Sequence, residues 1–115
     1  MRLKSDIVVS ALVRRVFALG GYAAVLHKGA EDAGAIFIRQ RSRLGTETLY
    51  APAPQSFFEE PSPNRLFEIR LEGVEPDVVD ETITREIRFD ADCWVVEIEV
   101  EERGDLFDIV GEKDV

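Results

Sequence analysis

Apolar residues recur at helical spacing near the start of the chain, at Val8, Val9, Leu12, Val13, Val16 and Leu19. Ser5 is placed to cap such a helix, Asp6 lies in its first turn where the helix dipole favours an acid, and Gly20-Gly21 can close it, so residues 6–19 are predicted helical. The apolar positions cover more than a narrow stripe and leave Ser10 and Arg14 as the wet side, which predicts a deeply packed or shared helix. Three strands are predicted next, at 22–28, 34–41 and 46–51, with turns at 29–32 and 42–45 and the spacing of an antiparallel meander.

The alternation is cleanest at 65–72, with Phe67, Ile69 and Leu71 on one face and Glu68, Arg70 and Glu72 on the other. Pro76 suits a first helical position, and Val79, Ile83 and Ile87 follow at four-residue steps, predicting a second helix over 76–88. A last strand over 93–101 sets Trp94, Val96, Ile98 and Val100 against Glu97, Glu99 and Glu101. The order α-β-β-β-loop-β-α-β implies an α+β fold: a two-layer sandwich with a mainly antiparallel sheet and both helices on one face. Residues 1–101 form one domain in this reading. Residues 102–115 form an acidic, largely frayed tail, in which the apolar island around Leu106 and Phe107 is the part able to dock.

Between the third and fourth strands lies APAPQSFFEEPSP, residues 51–63, with Phe57 and Phe58 side by side. A connector of that length is usually functional or pinned by its own side chains. Neighbouring side chains in an extended segment point opposite ways, so one phenylalanine is expected to cap the core and the other to lie near the surface.

Charge adds a polarity to this picture. The net charge is -9, yet residues 1–50 carry eight Lys/Arg against four acids and residues 51–115 carry six against nineteen. Net repulsion argues against a general binder of phosphate backbones. Arg39, Arg41 and Arg43 remain candidates for a local phosphate contact, with Tyr22 or Tyr50 able to stack on a base. The plainer reading pairs Arg39 and Arg41 with Glu97 and Glu99, or with Glu68, across the sheet.

The one cysteine, Cys93, permits no internal disulfide, and the apolar run after Met1-Arg2-Leu3-Lys4 is broken by Arg14 and Arg15 before it resembles an export signal, so a cytoplasmic protein is expected. No run is long enough to span a membrane as a helix. His27 and Cys93 lack the third group a nucleophilic pair needs, and two such residues cannot make a zinc site. Asp90 and Asp92 read as turn residues, and no phosphate-cradling glycine loop precedes a helix. No catalytic residue, cofactor or metal is predicted.

The segments MRLKSDIVVSALVRRVFALGG, GAIFIRQ, LYAPAPQSFFEE, FEIRLEG and FDADCWVVEIE together resemble a bacterial family, domain of unknown function 1491, over residues 1–101. The resemblance implies a single intracellular domain and carries no reaction, ligand or site residue. The expected function is therefore a non-enzymatic interaction or regulatory module. It would bind a protein partner or a second copy, as a homodimer, through the Phe57/Phe58 loop, the first helix or an open sheet edge. The alternatives are a nucleic-acid-associated factor using Arg39, Arg41 and Arg43, and a small-molecule binder with a pocket under the loop, for which Tyr22, Tyr50, Arg39, Arg70 and Glu68 are the polar groups to inspect.

Overall fold

The structure, a computed structural model, describes residues 3–54 and 65–110. Two helices, α1 (Ser5–Ala18) and α2 (Pro76–Phe89), accompany six strands: β1 (Tyr22–His27), β2 (Ile36–Arg41), β3 (Glu47–Pro52), β4 (Leu66–Val74), β5 (Trp94–Glu99) and β6 (Asp108–Ile109). The strands form one sheet in the order β1-β5-β2-β3-β4-β6.

The fold is α+β as expected, but the sheet is mixed. β5 enters between β1 and β2, antiparallel to β1 and parallel to β2, and β6 runs parallel to β4. Of the expected β1-β2-β3 meander only the β2-β3 pairing survives, and β4 continues it on the far side of β3. The reason lies in burial: Trp94, Val95 and Val96 are all buried, as are Ile36, Phe37 and Ile38, so both strands need cover on two faces and take the centre. β1 buries only Ala23 fully and takes an edge.

The same side chains overturn the expectation of both helices on one face. Ile36, Ile38, Trp94, Val96 and Ile98 pack with Val9, Leu12 and Val16 of α1, whereas Phe37 and Val95 pack with Val79 and Ile83 of α2. Successive residues of a strand point to opposite faces, so the helices lie on opposite sides of the sheet. A register shift in β4, where Leu49 faces Leu71 and Tyr50 faces Ile69, also separates the residues expected to share a face. Phe67 joins the α1 core and Leu71 the α2 core.

Ser5 does not cap α1. The N-cap is Lys4, which makes no side-chain cap, and Ser5 is fully buried with its Oγ donating to the Gly34 carbonyl at 2.7 Å. The C-terminus closes as expected: Gly20 adopts φ 85°, and the Gly20 and Gly21 amides donate to the Phe17 and Val16 carbonyls, each at 3.0 Å.

The described part of the C-terminal tail is docked rather than frayed. Leu106 is buried in the α1 core, and Phe107 meets Tyr50 and Phe67 edge to face at 4.9 and 5.3 Å. The Val110 amide donates to the Phe67 carbonyl at 2.7 Å. The domain thus extends past residue 101 because the apolar island of the tail completes the α1-side core. Among the described residues no helix is long and apolar enough to cross a membrane.

Candidate interaction surface at the β1 edge

β1 ends the sheet, so among the described residues one side of its backbone has no strand to pair with. Such an edge is a template for another chain, and proteins usually guard it with charge, proline or brevity. Residues 22–26, Tyr-Ala-Ala-Val-Leu, contain no charge and no proline. A register shift between Val25 and His27 is the only irregularity in its pairing with β5. The opposite edge, β6, is two residues long.

The side chains around this edge are apolar and wet. Tyr22, Val25 and Leu26 are 43–49% exposed, and Phe17 from the last turn of α1 is 52% exposed. Phe17 and Tyr22 meet edge to face with ring centroids 5.9 Å apart, so α1 and β1 present one continuous aromatic rim. Behind it, between α1 and β1, runs a groove of 470 Å³ with Val9, Val13, Val25 and Trp94 in its walls and Asp6, Arg14, Lys28 and Glu31 around it. One carboxylate oxygen of Asp6 is buried without a hydrogen-bond partner.

Of the residues expected to bind, Tyr22 belongs to this surface and Tyr50 does not. Tyr50 is buried, and its hydroxyl donates to Gln40 Oε1 at 2.8 Å. Phe57 and Phe58 lie outside the described residues.

The arginines stand on the α2 side of the sheet and are engaged by acids. Arg39 is aligned with Glu97 and Arg41 with Glu99, as expected, but their side chains turn to β3 instead. Arg39 donates through Nε and Nη2 to Glu47 Oε1 and through Nη1 to Asp80 Oδ1 at 2.7 Å, tying β2, β3 and α2 together. Arg41 reaches Glu47 Oε2 at 3.1–3.2 Å, and exposed Arg43 reaches Glu101 at 3.3 Å. Burial alone would lower the Arg39 pKa; the hydrogen bonds and charges of Asp80 and Glu47 outweigh it and raise the pKa, so the group stays cationic.

His27 and Cys93 make no dyad: His27 Nδ1 lies 2.7 Å from the Cys93 carbonyl oxygen, not at the thiol. Burial, then the charge of Asp90, raises the Cys93 pKa, which disfavours the thiolate a nucleophile needs. No cluster of metal-ligating side chains occurs among the described residues.

A second concavity, 440 Å³, lies between α1 and the C-terminal segment over a floor of Ile36, Ile38 and Phe67. Tyr22, Tyr50, Arg39, Arg70 and Glu68 do not line it. Two of its lining cations hold its walls: Arg15 binds the Leu106 carbonyl and Asp105, and Arg65 binds Ser5 Oγ and the Gly34 carbonyl.

The sequence pattern names an open sheet edge and the first helix as options beside the Phe57/Phe58 loop, without saying which strand lies at the edge, and does not single out Phe17. The signal was available, because Phe17 falls outside the Val9-Leu12-Val16 stripe that fills the core.

The fold recurs in solved structures. The solution structure of protein Atu0922 from A. tumefaciens is similar at 56% identity, with all of both chains covered and a TM-score of 0.87. The crystal structure of a DUF1491 family protein from Caulobacter crescentus CB15 is similar at 30% identity over 95% of this chain and 98% of that one, with a TM-score of 0.78. An NMR structure of a DUF1491 family protein from the same organism gives 30% identity, 95% and 97% coverage and the same TM-score. No protein of curated function matches the chain. The model of the family described as protein of unknown function (DUF1491) matches residues 3–108, and the chain belongs to that family.

Proposed function

We propose that this protein is a non-enzymatic protein-binding module of the cytoplasm whose receptor surface is the outer edge of β1 with the adjoining side of α1. The carrying observation is that an uncharged, proline-free edge strand is flanked by four large apolar side chains, each 43–52% exposed. An added strand would satisfy the outer backbone groups of β1, and the groove beside α1 offers a place for its side chains. The buried thiol and the acid-bound Arg39 and Arg41 favour this reading over catalysis or phosphate recognition.

The test is a photo-crosslinking amino acid placed at Leu26 in the native cell, with Leu44, 91% exposed at the β2-β3 turn, as the control position. Discrete protein adducts from position 26 and none from position 44 are expected. No adduct at position 26 would remove the β1 edge as a receptor.

A further inference from the structure

We infer that the occupant of the β1 edge is a second copy of this chain, paired β1 to β1 about a two-fold axis. The inference rests on reading that edge as a receptor surface and adds the identity of the partner. An axis perpendicular to the sheet sets the two β1 strands antiparallel, joins two six-stranded sheets into one, and closes the exposed edge of both copies. It also keeps both α1 helices on the same face and brings them side by side. The stripe that then meets its own copy is Ser10, Val13 and Phe17, spaced as neighbours on one helix face.

An isologous contact lays a patch against itself, so a patch of one sign would repel its copy. This one is balanced: Arg14 and Lys28 stand beside the groove with Asp6 and Glu31. Arg14 and Lys28 make no ion pair within the described residues, and Asp6 keeps a buried oxygen without a partner. The net charge of -9 does not oppose the contact, because β1 itself contains no acid. The nearest acidic row, Glu97 and Glu99 of β5, would be separated from its copy by three strand spacings, about 14 Å. That exceeds the screening length of about 8 Å at physiological salt.

The area is also adequate. Phe17 and Tyr22, each about half exposed, offer about 200 Å² between them. With Val25, Leu26, the outer backbone of β1 and the groove-facing side of α1, each copy presents roughly 600 Å², the lower bound for one partner of a specific interface. The dimer is accordingly concentration-dependent rather than permanent.

Sedimentation equilibrium over a wide concentration range tests this. The mass is expected to rise from 13.0 kDa towards twice that value. Leu26→Lys and Phe17→Lys, one on the strand and one on the helix, should each weaken the association at least tenfold while the far-UV and near-UV spectra stay native, and Leu44→Lys should leave it unchanged. A monomer at every concentration, or a dimer indifferent to both substitutions, overturns the inference. The crosslinker at position 26 separates the two readings. An adduct of twice the chain mass supports the dimer, an adduct with another protein in a monomeric chain overturns the dimer but keeps the receptor surface, and no adduct removes both.

Discussion

Glu47 holds Arg39 through a single carboxylate oxygen that accepts from both Nε, at 2.8 Å, and Nη2, with both side chains sealed from solvent. The other oxygen accepts from Arg41, and Arg39 continues to Asp80 on α2. The cluster therefore fixes the register of the β2-β3 hairpin and bolts α2 to it. Removing one partner of a buried pair strands the other charge, so Glu47→Ala should cost about 3–5 kcal/mol. Arg43→Ala, which breaks only an exposed pair with Glu101, should cost no more than about 1 kcal/mol. Urea denaturation of both variants checks the contrast, and the double change Arg39→Met, Glu47→Leu should lose less than the two single changes added together.

Much of this architecture is legible in the sequence. The helix expected over 76–88 is found at Pro76–Phe89, and the five expected strands fall within two residues of their bounds, while the two-residue β6 was not foreseen. Strand order was not readable, because alternation tells which face a side chain takes and not which strand lies alongside. The overlooked clue was local: Phe37 and Val95 interrupt otherwise alternating apolar positions, and each is buried against α2. Two consecutive apolar parities mean two covered faces, hence a central strand and a helix on each side. The arginine partners were misread for a similar reason. Cross-strand alignment with Glu97 and Glu99 was correct, yet Glu47 and Asp80 offered a more buried fit that register alone cannot reveal.

Phe107 should prove part of the fold. Its ring lies between Tyr50 and Phe67, and β6 follows directly, so Phe107→Ala is expected to cost about 3 kcal/mol. Thermal unfolding should show one lowered transition, whereas a tail irrelevant to the core would leave the midpoint unchanged.

Two glycines should respond differently to alanine. Gly20 has φ 85° with open space where a Cβ would stand, so Gly20→Ala should cost about 1–2 kcal/mol from backbone strain alone. Gly29 lies where the β1-β2 connection crosses the start of β5, and a Cβ there would approach the Cys93 carbonyl carbon to 2.6 Å and press on the Asp92 carbonyl. Because those atoms are backbone, Gly29→Ala should be the more damaging of the pair, and it should also weaken the neighbouring Trp94 Nε1 bond to the Ala30 carbonyl. Denaturation midpoints and tryptophan fluorescence measure both effects.

Cys93 gives the chain an alkaline limit. Its pKa is raised in the fold by burial first and by Asp90 next, so the folded state holds the thiol proton more tightly than the unfolded state, whose ordinary value is 9.0. The contribution to stability is full below that value and is lost as pH rises through the raised folded value. Native protein should react slowly with a thiol reagent at pH 8 and rapidly in denaturant. Cys93→Ala should flatten the alkaline decline in stability.

The position of β5 has a consequence for how the molecule is made. β1 and β2 leave the ribosome early, but they are not neighbours, and the strand that joins them is separated from both by roughly half of the chain. Loop closure of that length precedes any reward from the central pairings, which slows folding relative to a simple meander. The β2-β3-β4 hairpins can form while β1 and α1 wait beside an empty slot. The middle of the sheet is complete only once β5 is in place, because the Ala30 to Asp92 and Trp94 to Ala35 backbone bonds need residues that flank or begin it.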